Sequence, residues 1–413
     1  MKIHYHSECS FFAGCERMLV HLWSSKALRS RADVSFSYPS NPHYWAGLCA
    51  AYTPDMPVSV LPTLSGDFPR THWDGPLRPV SKALRALNRL VLSYPLFLWE
   101  VLQGVRLLRR LRPDILHLNN GGYPAARSVR AMAVAGCLTR VPRILMVVNN
   151  QAEPYRSPRR WLGWPVDLLV KRSVDRFVCG SSSARKKLID VLNLDPGDVV
   201  RIPNGYARRD IQEPAAQVRQ RLDVPPDFQG IMLGVVALMV PRKGHGILIR
   251  AVEDVRDQRP ELLKDLKVYL EGHGPLEDSL KQQVSTAGLD DTIRFVPSEA
   301  RISDFLAAID ILALPSLGNE DFPNVVIEAM SYGKAVIASR VAGTPEQVDD
   351  RQTGLLVEPG DVSELAKALT FCLENRALVD AWGAMGQKKY ESLFKADIAV
   401  ESYLNLYEEG NYQ

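Results

Sequence analysis

The sequence predicts an α/β protein made of two domains, each a parallel sheet flanked by helices. Three observations lead there. The chain has 413 residues, too many for one compact core and suited to two domains of about 200 residues each. Strand-like and helix-like patterns alternate along both halves, as they do where helices cross between parallel strands. A proline and an Asn-Gly turn, in Ile202-Pro203-Asn204-Gly205-Tyr206, separate the two runs. The expected domains are therefore 1–203 and 204–391, with a C-terminal helix in 392–413 packing back on the first.

In the first half, Lys2 to His6 is a short strand. It is followed by Ser10 to Arg17, where Gly14 permits a close turn before an amphipathic helix through Met18, Leu19, Leu22 and Trp23. Ala32 to Tyr38 alternates as a second strand. Tyr44 to Pro79, rich in proline, aromatic residues and turn formers, takes no assignment. Val80 to Leu111 reads as helix interrupted near Pro95, Asp114 to Leu118 as a buried strand, Ala125 to Leu138 as helix, and Arg143 to Val148 as strand. Ser173 to Ser181 is a strand running into a helix start.

In the second half, Ile231 to Leu238 and Leu266 to Leu270 are strands, each followed by a helix, at Gly246 to Val255 and Leu276 to Ala287. Ile293 to Val296, Ile302 to Ile309 and Glu364 to Glu374 continue the alternation. The last helix, Ile398 to Glu409, has an aromatic and leucine face at Tyr403, Leu404, Leu406 and Tyr407.

A composition of 46% hydrophobic and 23% charged residues fits a soluble globular enzyme. Cysteines at 9, 15, 49, 137, 179 and 372 form no C-x-x-C pair, so reduced, mostly buried thiols of a cytoplasmic protein are expected. The start, Met1 to His6, lacks the apolar run of a secretory signal, and Leu90 to Trp99, broken by Pro95, is too short to span a bilayer. Residues 1–200 hold 27 Lys+Arg and 14 Asp+Glu, or +13; subtraction from the totals of 50 and 47 leaves 23 and 33, or −10, for the rest. The basic half holds Lys82, Arg85, Arg89, Arg106, Arg109, Arg110 and Arg112 among leucines, and Arg159-Arg160-Trp161-Leu162-Gly163-Trp164. Such surfaces suit peripheral contact with the inner face of an anionic membrane. The acidic second half argues against nucleic acid.

The chemistry gathers in Ser316 to Met330. Glu320 lies in a loop after the buried strand Asp310 to Leu314, and Glu328 lies inside a helix with Pro323 ahead of it and Asn324 as its N-cap. A second strand, Ala335 to Ser339, follows. Strand, loop, helix and strand make one half of a nucleotide-binding sheet, whose ligands sit at the carboxyl ends of the strands. A helix start offers unpaired N–H groups and a positive dipole end to a phosphate, and Lys243 adds a charge. On its own, the pair of glutamates could be acid/base groups or acceptors for hydroxyls.

Six segments resemble retaining glycosyltransferases of family 4, which have the GT-B fold of two Rossmann-like domains facing across a cleft. They are Gly14-Cys15-Glu16-Arg17, Ile202-Pro203-Asn204-Gly205-Tyr206, Pro241-Arg242-Lys243-Gly244, Gly272-His273-Gly274-Pro275, the E-x7-E pair Glu320 and Glu328, and Gly354 to Asp361. The likeness is close in the second half and weak in the first. It implies that Glu320 holds hydroxyls of the transferred sugar and acts in catalysis with Lys243. Glu328 would hold the ribose, with Gly14, Arg242, Gly274, Phe322, Pro323, Asn324 and Val325 completing the site for a nucleotide-diphosphate sugar. The acceptor would be a glycan or a lipid-linked glycan, as in polysaccharide or lipopolysaccharide synthesis. No cofactor or metal is expected, and the chain has no D-x-D sequence. Two positions depart from the family pattern. Leu238 stands where many relatives have an arginine, for which Arg242 or Arg208 could compensate, and Asn149 stands where many have a histidine. His117, within an apolar alternation, reads as a core residue. An epimerase of similar architecture and a catalytically silent sugar-nucleotide-binding protein are the alternatives.

Overall fold

The computed structural model describes residues 1–9, 14–63, 78–296, 301–318 and 320–409. They form two compact units. The first comprises Met1–Cys179, Ala184–Ile202 and Tyr403–Gln413; the second comprises Gly180–Ser183 and Pro203–Ser402. The turn expected at residues 10–13, residues 64–77 of the unassigned span, and Asn319 lie outside the described residues. So do the side chains of Cys15, Lys82, Arg85, Arg89 and Arg159.

The first unit is built on a seven-stranded sheet. Its strands are β1 (Lys2–Ser7), β2 (Asp33–Pro39), β3 (Val58–Leu61), β4 (Ile115–Asn120), β5 (Arg143–Val148), β6 (Arg176–Cys179) and β7 (Val199–Arg201). They run in the order β3-β2-β1-β4-β5-β6-β7, every pair parallel. β4 is buried at all six positions, as expected of a strand covered on both faces. A helix, Pro42–Ala51, runs into the unassigned span from Asn41, whose side chain accepts from the N–H groups of His43 and Tyr44. An N-cap asparagine before a proline at the first helical position is a legible start signal.

The helix Arg78–Leu111 runs through Pro95 without the expected break. An internal proline costs about 3 kcal/mol. Against this, Phe97, Val101, Leu107 and Leu108 share a core with Val129, Met132 and Ala135 of the helix Arg127–Leu138. A Cβ on Gly104 would approach the Ala135 Cβ to 2.7 Å, so the glycine lets the two helices close. Tertiary packing outweighs the local penalty.

The second unit is built on β8 (Ile231–Val236), β9 (Leu266–Glu271), β10 (Ile293–Val296), β11 (Ile311–Leu314), β12 (Ala335–Ser339) and β13 (Gly354–Val357). The order is β10-β9-β8-β11-β12-β13, again all parallel. One core gathers the helices His245–Gln258, Glu277–Thr286 and Val362–Glu374; a separate core holds Ile302–Ala308 and Asn324–Ser331. Strand order reverses between β8 and β11.

Residues 392–402, expected with the first domain, cluster with the second. The reason is packing: Tyr390 and Phe394 belong to the core that contains Phe322, Val326 and Met330, and Phe394 O accepts from Tyr206 N at 2.8 Å. The helix Ala396–Glu408 joins the first unit only from Tyr403 onward. There Tyr407 donates or accepts a hydrogen bond with Tyr5 at 3.2 Å and meets His117 Nδ1 at 2.7 Å. The expectation of mostly buried thiols also needs correction. Among the described cysteines, Cys179 and Cys372 are buried, Cys9 is half-buried, and Cys49 and Cys137 are exposed.

Three histidines sit inside the first unit. Ser37 Oγ lies between His4 Nε2 at 2.8 Å and His6 Nδ1 at 2.9 Å, and the chain of bonds extends to Ser35 at one end and Ser128 at the other. Burial holds His4, His6 and His117 down at about 3. Unfolded, each titrates near 6.5. Between these values the unfolded chain binds protons that the folded one does not, so stability falls as pH drops below about 6.5. The slope is up to about 1.4 kcal/mol per pH unit per histidine. Urea unfolding of the full chain at pH 7.5 and at pH 5 should show this loss, and His117→Phe should flatten it by one histidine's share.

Candidate functional site

The reversal between β8 and β11 defines the place where a doubly wound sheet opens to a ligand. The loop after β8 carries Pro241, Arg242, Lys243 and Gly244. The loop after β11 carries Pro315 to Pro323. The two loops are joined through their backbones: Leu317 N donates to Arg242 O at 2.7 Å. Gly244 takes a left-handed conformation, φ 71°, and a Cβ there would run into the Pro315 carbonyl oxygen. Only glycine permits that approach without strain.

This join brings Lys243 and Glu320 together. Glu320 Oε1 accepts from Lys243 Nζ at 2.6 Å, Arg242 Nη1 at 3.0 Å and Ser316 Oγ at 3.0 Å. Glu320 and Lys243 are largely buried, whereas Arg242 remains 41% exposed along its side chain. Of the two cations weighed as compensation for Leu238, Arg242 is therefore the one beside Lys243. Arg208 instead lies 5.1 Å from the Tyr332 ring centroid.

Gly274 belongs to the same neighbourhood. The turn from β9 into the helix Glu277–Thr286 is stitched to the loop after β8 by Met239 N to His273 O at 2.8 Å and Leu276 N to Met239 O at 3.1 Å. A Cβ on Gly274 would meet the Met239 backbone.

The helix Asn324–Ser331 opens beside Glu320, and its first-turn N–H groups point out of its end. Its N-cap is Pro323, and Asn324 is not the cap expected from the sequence. Asn324 Oδ1 instead accepts from Asn204 at 2.8 Å, and Asn204 also donates to Phe322 O at 3.3 Å. Pro323 O accepts from Gln347 Nε2 at 3.1 Å. Phe322 packs edge-on against Phe394 with centroids 5.6 Å apart, and Val325 is half-buried. Glu328 lies buried in the next turn, and its charge, after burial, raises the Tyr206 phenol. The Asn204-Gly205-Tyr206 turn thus holds the loop ahead of this helix and faces its glutamate.

Asp321 is a group that sequence reasoning passed over. It accepts from Ser181 Oγ and from Gly180 N, the latter at 3.3 Å, while its own carbonyl accepts from Gly343 N at 2.8 Å. Burial pushes its carboxyl up to about 6, against the hydrogen bonds from Ser181 and Gly180. The only sequence signal was adjacency to Glu320, which does not distinguish a buried carboxylate from a solvated one.

Gly14 belongs to the first unit, where it starts the helix Gly14–Ser24. Near it, Glu16 is 3.5 Å from Ser7 Oγ, Ser7 accepts from Asn119 at 3.1 Å, and Asn119 accepts from Asn149 at 2.7 Å. These residues gather at the carboxyl ends of β1, β4 and β5, with the strand order reversing between β1 and β4. His117 is buried in the core as expected.

Comparison with known proteins bears on both units. Residues 58–208 match the domain described as glycosyltransferase family 4, and residues 230–375 match the one described as glycosyl transferases group 1. With two parallel-sheet, Rossmann-like units, these matches place the chain in the GT-B glycosyltransferase family.

Among characterised sequences, the chain is 31% identical over 257 residues to the D-inositol 3-phosphate glycosyltransferase of Kineococcus radiotolerans, covering 58% of each chain. It is 32% identical over 255 residues to the protein of that name from a Nocardioides species, covering 58% of this chain and 54% of the relative. The chain spans about three fifths of the length of the curated relatives it matches. Among solved structures, Anabaena HepE in complex with UDP superimposes with a TM-score of 0.77 at 21% identity, over 98% of this chain and 99% of that one. A glycosyltransferase from Rickettsia africae gives 0.76 at 17% identity, over 99% and 98%. At these identities the likeness is one of fold.

The join between the loops can be tested by its glycine. Gly244→Ala forces a left-handed non-glycine residue and a clash with Pro315 O, and should cost at least about 2 kcal/mol in chemical denaturation. Gly318→Ala, where a Cβ meets nothing within 4 Å, should stay within about 0.5 kcal/mol of wild type in the same assay.

Proposed function

We propose that the chain is a retaining glycosyltransferase that moves a sugar from a nucleotide-diphosphate donor to an acceptor hydroxyl. The observation that carries this reading is the meeting of Lys243, Arg242 and Glu320 at the reversal of the second sheet, beside the opening of the helix that bears Glu328. Two cations and a helix N-terminus suit a diphosphate. A buried carboxylate a few ångströms away suits sugar hydroxyls, and a second one along the helix suits a ribose.

The arrangement also suggests how charge is handled. Without donor, Glu320 balances Lys243 and Arg242. When a diphosphate arrives, the cations turn part of their charge to it and Glu320 becomes available to the sugar. As the glycosidic bond breaks, negative charge grows on the leaving phosphate, where the cations and the helix end stabilise it. The departing phosphate takes the acceptor's proton, so no protein base is required. Lys243 and Arg242 supply the positive charge, and transfer should continue in the presence of EDTA.

Anabaena HepE was solved with UDP and with UDP-glucose, which makes a uridine donor the first to try. A lipid-linked glycan, as in polysaccharide or lipopolysaccharide synthesis, fits the basic first half as acceptor. The relatives' name offers inositol 3-phosphate as the other candidate.

The test is a thermal-shift screen with UDP-, GDP-, ADP- and dTDP-sugars, since a ligand that binds only the native state raises the melting temperature. One of them should raise it, and Glu328→Ala should abolish that shift. Glu320→Ala should keep the shift, because the diphosphate replaces the lost carboxylate as partner of Lys243, yet lose sugar transfer. No response to any donor, or an undiminished shift in Glu328→Ala, would contradict the reading.

A further inference from the structure

The first unit carries an exposed apolar surface. On the helix Arg78–Leu111, Tyr94, Leu98 and Leu102 recur every fourth residue, and Leu98 and Leu102 are 61% and 53% exposed. Phe97, Val101 and Leu108 of the same helix enter the core. Trp161, Leu162, Trp164 and Leu169 are exposed as well, with Trp161 at 58%. Trp161 ends the helix Pro158–Trp161, Leu162 is its C-cap, and Trp164 and Leu169 lie on the helix Trp164–Ser173. The Tyr94 hydroxyl donates to Leu162 O at 2.5 Å, so the two stripes meet in one surface.

That surface has a firm base. Arg160 is buried, bonded to Asp167, and lies 4.0 Å from the Tyr155 ring centroid. Tyr155 in turn packs against Trp161 with centroids 5.0 Å apart and donates to Asp167 at 2.6 Å.

Cations border the apolar residues. The 94-98-102 stripe continues to Arg106 and Arg109, with Arg110 next to it, and the Trp164 to Leu169 stripe ends at Arg172. All four arginines are exposed. Among the described residues none of them has an ion-pair partner. The carboxylates close by are engaged: Glu100 with Arg127 at 2.6 Å, and Asp167 with Arg160 and Arg130.

We propose that this face docks peripherally on a bilayer that contains anionic lipid. Tryptophan and tyrosine bring an apolar body and a polar tip, the combination suited to the headgroup boundary. The leucines would enter the acyl region, and the unpaired arginines would face lipid phosphates. Among the described residues no helix is long and apolar enough to cross a membrane, so attachment is by surface. The inference goes beyond the donor site and uses none of its residues.

Flotation of the full chain with phosphatidylcholine vesicles, and with vesicles of equal parts phosphatidylcholine and phosphatidylglycerol, tests it. Wild type should bind the anionic vesicles, bind the neutral ones weakly, and lose affinity as salt rises. Trp161→Ser/Trp164→Ser should weaken binding about tenfold or more. Arg106→Ser/Arg109→Ser should also weaken it about tenfold, each cation near an anionic surface being worth a few-fold. Both variants alter exposed residues and should keep the wild-type melting temperature. Absence of binding, equal binding to both vesicles, or unchanged binding by either variant would overturn the proposal. So would a concentration-dependent dimer that the tryptophan variant abolishes, which would assign the face to a second copy of this chain. The readout needs no nucleotide, so its failure is separable from failure of the donor reading.

Discussion

The second unit depends on a backbone contact between two loops. Gly244 closes on the Pro315 carbonyl, and Leu317 N bonds to Arg242 O. Those loops follow β8 and β11, neighbours in space but far apart in the chain, and the contact sets where Lys243 and Arg242 stand relative to Glu320. An ammonium, a guanidinium and a serine hydroxyl then converge on one carboxylate oxygen. A largely buried carboxylate with such partners is held in one place, and one that loses them leaves an uncompensated charge. Geometry at this site is thus inherited from the sheet reversal through two backbone contacts.

The same logic orders the rest of the site. The Asn204-Gly205-Tyr206 turn bonds to Phe322 and Asn324 ahead of the Glu328 helix, and Tyr206 faces Glu328. Directly after Glu320, Asp321 accepts from Ser181 and Gly180. Each glutamate is braced by a segment distant in sequence. In the first unit the polar residues at the carboxyl ends of β1, β4 and β5 form their own chain through Ser7, Asn119 and Asn149.

Much of this was legible in the sequence. Alternation of apolar strands and amphipathic helices indicated two parallel sheets, and the spacing of Glu320 and Glu328 put one in a loop and one in a helix. What escaped was tertiary. Pro95 signalled a break, but Gly104 and the leucines around it pack the helix tightly enough to run on. Asn324 looked like an N-cap, but Asn204, over a hundred residues earlier, claims its side chain. Residues 392–402 hold one aromatic residue, Phe394, and nothing in their sequence shows which core takes it. Asp321 resembled any loop acid until Ser181 and Gly180 were seen against it. The Asn41-Pro42 helix start, just ahead of the proline-rich span, is legible in the sequence.

The central claim is that Lys243 and Arg242 are held at the sheet reversal to meet a diphosphate. Calorimetric titration of wild type and Lys243→Met with UDP and with uridine isolates that contact, because the two ligands differ only in the diphosphate. A charge-assisted hydrogen bond is worth about 10- to 100-fold in affinity. The account predicts that wild type prefers UDP over uridine by at least this factor and that Lys243→Met narrows the preference by about the same amount. An unchanged preference in the variant, or no preference in wild type, would contradict it.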